Sequence, residues 1–451
     1  MSGMKKVVLK KGIDLPLGGA PEQKVYESGT VSRYAVTGDD YIGLKPTMNV
    51  QEGDSVKSGD LLFTDKKNAG VKFVSPFSGK VLAVNRGEKR RFLSLEIEID
   101  GTEGGSLKVF NTAELKIIGE ETIRNVLNDA GLWTSFISRP FGRTPAIDAK
   151  ADYIYVTAAD TRPLCADVKT AMAGMESFFA AGVSLLEKLA GKKLYICVSS
   201  EDAVPAVQGG KIEYVCFKGP HPAGLAGTHI HFLSPAHAGN RTWEINWQDT
   251  AAIGELFLTG KIPVQAVVSL CGTGAVKPRL IRTIRGAWFG DLLKNEINAE
   301  DVRIISGSAL HGRKTAPPTD YLHRYINQVT LIPEGRERKL LGWAGLGTDM
   351  HSVKRSFLTA FGIGKPAFNT NLNGGKRPII PVGSYEDVMP MDILPTYLLR
   401  AVSVGDFETA EKLGCLELLE EDLSLCTYAC PGKQDYAPML RQVLDTLEKE
   451  G

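Results

Sequence analysis

No stretch of the 451 residues approaches a membrane span in length. The longest apolar runs are about ten residues, as at 177–186, where a spanning helix needs about twenty. Net charge is also nearly absent. Lys and Arg number 53 against 52 Asp and Glu, a balance of +1, so no broad attraction to nucleic acid or anionic lipid is expected. The opening Met-Ser-Gly-Met-Lys-Lys lacks an apolar core followed by a cleavage site, so no signal peptide is expected. Cysteine is scarce. Seven scattered residues, an odd number, point to free thiols in a reducing compartment rather than a disulfide framework. There is no H-E-x-x-H, no convincing nucleophile–base pair, no internal repeat and no low-complexity tract. Gly272-Thr273-Gly274 and Asn373-Gly374-Gly375-Lys376 lack the G-x-x-x-x-G-K-[ST] spacing of a phosphate loop and read as turns. These absences leave a soluble cytoplasmic chain that would reach a membrane only through a partner.

Its length suits several domains. Residues 1–101 read as an all-β module of short strands. Turns fall at 52–54, 58–60 and 76–79, and apolar and charged residues alternate over 92–99. After the glycines of 101–105 the period changes. Ile123, Val126, Leu127 and Ala130 follow helical spacing, and Gly131 stands where a C′ glycine would end the helix. Strands at 153–156 and 194–198 flank a helix over 167–190, broken near Gly174 or Gly182. Residues 102–260 therefore read as a Rossmann-like α/β domain. Small strands resume over 261–315. Residues 316–385 are expected to form an irregular β segment that packs back on the N-terminal module. Residues 386–451 form a helical tail with Leu440, Val443, Leu444 and Leu447 on one stripe. The expected class is α+β and multidomain.

Three features carry candidate chemistry. The tail holds Cys415, then Cys426-Thr427-Tyr428-Ala429-Cys430-Pro431. A bacterial cluster run is Cys-x-x-Cys-x-x-Cys-x-x-x-Cys-Pro. Here the ending survives, but Leu418 stands where a second thiolate belongs. Cys415, Cys426 and Cys430 thus read as a degenerate iron–sulfur remnant, or as buried free thiols. Residues 219–231 hold His221, His229 and His231. On a strand, His229 and His231 would share a face and could grip a metal. Without nearby acidic or thiol ligands, structural histidines are favoured, with a small-ligand or quinone site as the next reading. Finally, residues 52–81 resemble biotinyl/lipoyl carrier domains, with Lys66 near the modified position. The 65–76 segment is about two residues long for a carrier hairpin, so a barrel-sandwich scaffold without the arm is expected. The acidic pair Glu420-Glu421 reads as a solvated face.

Taken in order, residues 10–16, 86–90, 131–133, 219–232, 277–280, 388–395 and 426–433 resemble the A-subunit family of the Na+-translocating NADH:quinone reductase (Nqr), almost end to end. The resemblance implies a peripheral subunit on the cytoplasmic face of the bacterial inner membrane. Its partners would be the other subunits, chiefly the nearest integral-membrane one. The complex would use NADH, flavins, iron–sulfur and quinone, with no cofactor bound by this subunit, which is inactive alone. In flavin-binding relatives of Rnf complexes and complex I, a glycine-rich loop cradles FMN. The matching stretch 134–145 has only Gly142, so the flavin is expected to be lost. The 264–293 strands resemble the soluble ligand-binding β-grasp module of those relatives. Quinone handling, if present, would fall to His221, His229, His231 and Trp243, with Trp247 nearby. The alternatives are a flavin- or NADH-binding oxidoreductase subunit that works by itself, and a carrier acylated on Lys66.

Overall fold

Alternating apolar residues build the first module, and the computed structural model, which describes residues 4–101, 105–337 and 345–450, shows where each strand goes. The change of pattern expected at 101–105 lies partly outside the described residues. The first strands, β1 (Lys5–Val8) and β2 (Glu22–Glu27), leave the N-terminal module altogether. The module itself holds β3 (Arg33–Thr37), β4 (Pro46–Met48), β5 (Ser55–Val56), β6 (Leu61–Asp65), β7 (Lys72–Val74), β8 (Ser78–Arg86) and β9 (Phe92–Gly101). They form two antiparallel sheets, β3-β9-β8-β5 and β4-β6-β7. Phe63, Phe73 and Phe92 fill the space inside, the first two stacked at 4.4 Å. Gly53 and Gly59 take positive φ at the expected turns.

The second domain begins with α1 (Thr112–Ile117) and α2 (Glu120–Asp129). Gly131, at φ 70°, ends α2 in the C′ position that its sequence context predicts. Next come β10 (Ile137–Arg139), β11 (Ala151–Ala158), α3 (Val168–Met172), α4 (Glu176–Leu189), β12 (Ala190–Val198), β13 (Ile212–Lys218), α5 (Ala226–Leu233), β14 (Thr242–Asn246) and α6 (Trp247–Thr259). The sheet order is β1-β13-β12-β11-β14-β10, parallel except for β10. The long helix breaks at Gly174, φ 87°, and not at Gly182. Gly182 is instead a contact glycine. A Cβ there would meet Thr250 O at 1.9 Å, and one on Gly254 would meet Phe178 O at 1.9 Å, so α4 and α6 touch through their backbones.

The fourth sheet has the order β18-β17-β19-β15-β16-β2. Its members are β15 (Gln265–Cys271), β16 (Arg279–Ile284), β17 (Val302–Ser306), β18 (Arg313–Lys314) and β19 (Gln328–Pro333), with α7 (Phe289–Leu292) between β16 and β17. It takes β19 from the 316–385 segment, where β structure is expected, and β2 from the N-terminal stretch. Residues 5–27 thus lace the α/β sheet and this sheet together.

The tail is helical: α8 (Ser384–Val388), α9 (Pro395–Val404), α10 (Phe407–Lys412), α11 (Ser424–Ala429) and α12 (Tyr436–Glu450). These helices enclose their own core around Leu398, Leu418, Leu423, Leu440 and Leu444.

Candidate functional site

Parallel strands carry function at their C-terminal ends, where the backbone turns away and side chains converge. Here β11 ends in Asp160-Thr161-Arg162, and β13 ends in the His221 loop. The hydroxyl of Thr161 joins them. It accepts from Gly224 N at 2.9 Å and lies 3.1 Å from His221 Nδ1. The residue 10–16 strap locks the same loop. His221 N donates to Asp14 at 2.8 Å, and a Cβ on Gly12 would meet His221 O at 2.2 Å.

The three histidines have separate roles. His229 and His231 lie on α5, not on a strand, so two residues of separation turn them apart instead of together. His229 is fully buried. Its Nε2 bonds Ala223 O at 2.9 Å, and its ring lies 4.3 Å from that of Phe217. His231 faces the tail, with Nδ1 2.7 Å from Glu417 and Nε2 accepting from Asp392 N at 2.8 Å. Burial pulls His221 down to about 4 and His229 down to about 3, so both imidazoles are neutral near pH 7. Trp243 pairs with Ile154 across the sheet, while Phe217 belongs with Tyr155, Cys197 and Val215 on the other face. Trp243 packs against Trp133 and Phe136 instead. The structure therefore does not bring Trp243 and the histidines into one pocket. Trp247 is buried at the start of α6, within the same core as Trp243.

What converges on these strand ends is a set of arginines and acids that sequence reading passed over. Glu420, Glu421 and Asp422 are no solvated run. Glu421 takes a two-pronged contact from Arg162, at 2.5 and 2.8 Å, and Arg162 also reaches Asp160 at 3.0 Å. Burial opposes ionisation of Glu421, yet the Arg162 guanidinium holds its carboxyl down at about 2. Asp422 is buried against Arg139 at 2.8 Å, and Arg139 also binds Glu244 at 2.6 Å and Glu417 O at 2.7 Å. Arg441 grips Glu420 at 2.6 and 2.8 Å and donates to Phe141 O at 2.7 Å. A signal was present in the sequence. The acids sit between Leu418-Leu419 and Leu423, and a charge run flanked by leucines is a helix edge with one side indoors.

The stretch set beside a flavin-phosphate loop is filled by these contacts. Arg139 is engaged as above, Arg143 pairs with Glu448, and a Cβ on Gly142 would meet Leu419 at 2.9 Å. These residues do not fit a flavin phosphate, which needs exposed backbone N–H groups on open glycines. The crevice between β11 and β14, where the strand order reverses, is also closed. Asp249, fully buried, takes Arg324 at 2.9 Å and Arg285 at 3.2 Å. Ser269 and Gln328 donate to Leu164 O and Pro163 O. The adjoining cavity is about 80 Å³, far below the roughly 300–1,000 Å³ of small-molecule sites.

Among the described residues, no three His, Cys, Asp or Glu side chains converge as metal donors. Cys415, Cys426 and Cys430 are all buried in the tail core. Burial pushes the Cys415 and Cys426 thiols up to about 12. Cys430 differs. Burial pushes its thiol up too, but the hydroxyls of Tyr385 and Tyr436, at 3.1 and 3.3 Å, and Gln434 N at 3.4 Å hold it below the usual value. Lys66 is exposed just beyond β6.

Comparison with known proteins follows the same architecture. Family models described as the NqrA N-terminal barrel-sandwich hybrid domain, the NqrA second alpha/beta domain and the NQRA C-terminal domain match residues 7–100, 118–262 and 267–316. The A subunit of the Na(+)-translocating NADH-quinone reductase of Pasteurella multocida is 46% identical over 445 residues, covering 99% of this chain and all of that one. Those of Psychromonas ingrahamii and Vibrio alginolyticus are each 47% identical with the same coverage. Among solved structures, an NAD+-reducing [NiFe]-hydrogenase in the H2-reduced state aligns at 9% identity. It covers 52% of this chain and 53% of that chain with a TM-score of 0.33, too low to support an argument.

Proposed function

The chain belongs to the A-subunit family of the Na(+)-translocating NADH-quinone reductase, and on that premise we propose that it is a cofactor-free peripheral subunit that docks on the membrane part of the complex at its cytoplasmic face. As a member of that family it is a subunit of a sodium-pumping oxidoreductase. No helix of the described residues is long and apolar enough to cross a membrane, and in this reading the chain meets the membrane through a partner.

The carrying observation is where apolar side chains face water. Of thirteen exposed large apolar residues among those described, nine fall between Leu346 and Val404. They include Phe361 at 66%, Leu372 at 62% and Tyr397 at 61% exposure. In this reading, such a concentration within one segment is what a surface covered by a partner would carry. The filled loop at 134–145 supports the same reading, with NADH oxidised on another subunit.

The test is retention on the complex. Phe361→Glu, Leu372→Glu and Tyr397→Glu together should release the chain from the solubilised membrane subunits while leaving its own melting temperature unchanged. Undiminished retention would refute the docking face. A flavin band in the visible spectrum of the purified chain would favour the other reading, an oxidoreductase subunit that works alone.

A further inference from the structure

A second surface, separate from that apolar strip, has a different chemistry. The N-terminal module and the tail enclose a groove of about 730 Å³, within the range of binding clefts. Eight Lys or Arg side chains line it, among them Lys45, Lys66, Arg86, Lys89 and Arg90, against only three acids. The acids are already engaged: Asp39 with Arg91, and Glu420 and Asp445 with Arg441. Arg313 pairs with Asp40. Among the described residues, Lys45, Lys66, Lys89 and Arg90 have no ion-pair partner, and the Arg86 guanidinium meets only the Arg90 carbonyl. In a chain whose total charge is +1, this is a local excess that folding assembles from separate stretches.

The backbone holds it in place. Lys89 and Arg90 sit at φ 52° and 61°, a left-handed conformation that such residues seldom adopt. Hydrogen bonds from Gly87 N to Arg91 O, Arg90 N to Gly87 O and Arg91 N to Glu88 O fix the β8–β9 tip in that shape. Strain of this kind concentrates where a surface is used.

We propose that this groove docks an acidic polypeptide segment of a neighbouring protein. Small phosphates are gripped by backbone N–H groups at helix ends or glycine nests. Here the donors are long, exposed side chains spread over several segments, matching carboxylates spaced along an extended chain. The floor includes Tyr41, Ile42 and buried Phe92, which give apolar side chains of such a segment somewhere to pack. A flat bilayer cannot enter a concavity of this form.

The test uses the full-length chain and a fluorescein-labelled ten-residue peptide of alternating Glu and Leu, titrated at low and moderate salt. Binding should weaken several-fold as salt rises, because exposed charges are screened. It should weaken at least tenfold in the Lys66→Glu, Lys89→Glu, Arg90→Glu triple variant, and be unchanged in Lys261→Glu, a charge reversal outside the groove. Phosphatidylglycerol vesicles and inorganic triphosphate are run in parallel. No peptide binding, equal binding by the triple variant, or groove-dependent binding of vesicles or triphosphate in place of the peptide would overturn the proposal. A retained melting temperature shows that the triple variant folds. Because the groove shares no residue with the Phe361–Leu372–Tyr397 set, either surface can fail its test without the other.

Discussion

Removing Arg139 and removing Asp422 should have unequal costs, and the difference tests how the tail is fastened to the α/β domain. Arg139 is one cation between two carboxylates, Glu244 at 2.6 Å and Asp422 at 2.8 Å, with side-chain exposures of 4%, 13% and 1%. Asp422→Asn leaves a one-to-one pair of Arg139 and Glu244, and its amide oxygen still accepts from Leu419 N, a bond of 2.8 Å in the native protein. The loss is one charge-assisted hydrogen bond, about 1–3 kcal/mol. Arg139→Met strands two carboxyls indoors without a cation, costing about 3–5 kcal/mol. Burial already raises the Glu244 carboxyl above its ordinary value against the pull of Arg139. Without the guanidinium, the Glu244 carboxyl stands further above its unfolded value, so that variant regains stability as pH falls toward the carboxylate range. Hydrogen exchange on 424–429, compared with the β8–β9 strands, reads the local opening free energy without assuming that the multidomain chain unfolds in one step. An Asp422→Asn variant as damaged as Arg139→Met, or a deficit indifferent to pH, would refute the reasoning.

Other outcomes follow from the same structure. The buried imidazoles of His221 and His229 have native values of about 4 and 3 against 6.5 for the free group, so the unfolded chain binds protons that the folded chain refuses. Their stabilisation is complete above pH 6.5 and is lost as pH falls through about 4 and then 3. For His221 this amounts to about 3 kcal/mol at 1.36 kcal/mol per pH unit. A His221→Asn variant should show a flatter stability profile between pH 6.5 and 4, measured by urea unfolding, and an unchanged slope would count against burial as the cause. Gly254→Ala puts a methyl where Phe178 O stands and should cost about 1–3 kcal/mol or more, whereas Gly119→Ser, in open space at the start of α2, should gain a few tenths by capping. Paired thermal melts compare the two directly.

Periodicity made the elements legible. The alternation over 92–99, the helical spacing of Ile123 to Ala130 with its terminal Gly131, and the apolar stripe from Leu440 to Leu447 each identify a structure because each is written in neighbouring residues. The distinctive local strings carried the family. The candidate site was not legible in the same way. Whether 226–233 is a helix or a strand depends on the sheet it covers, and an apolar run with two histidines fits either. That choice turned His229 into the domain and His231 toward the tail.

Sequence alone settled the local periods and the near-neutral charge, since these need no distant partner. Tertiary structure alone decided that Glu421 meets Arg162 across 259 residues, Asp422 meets Arg139 across 283, and β1 and β2 join sheets built from residues far down the chain. The physical reason is that an ion pair or a strand edge is completed by whatever folding places opposite it, and nothing in the local pattern of either partner names the other.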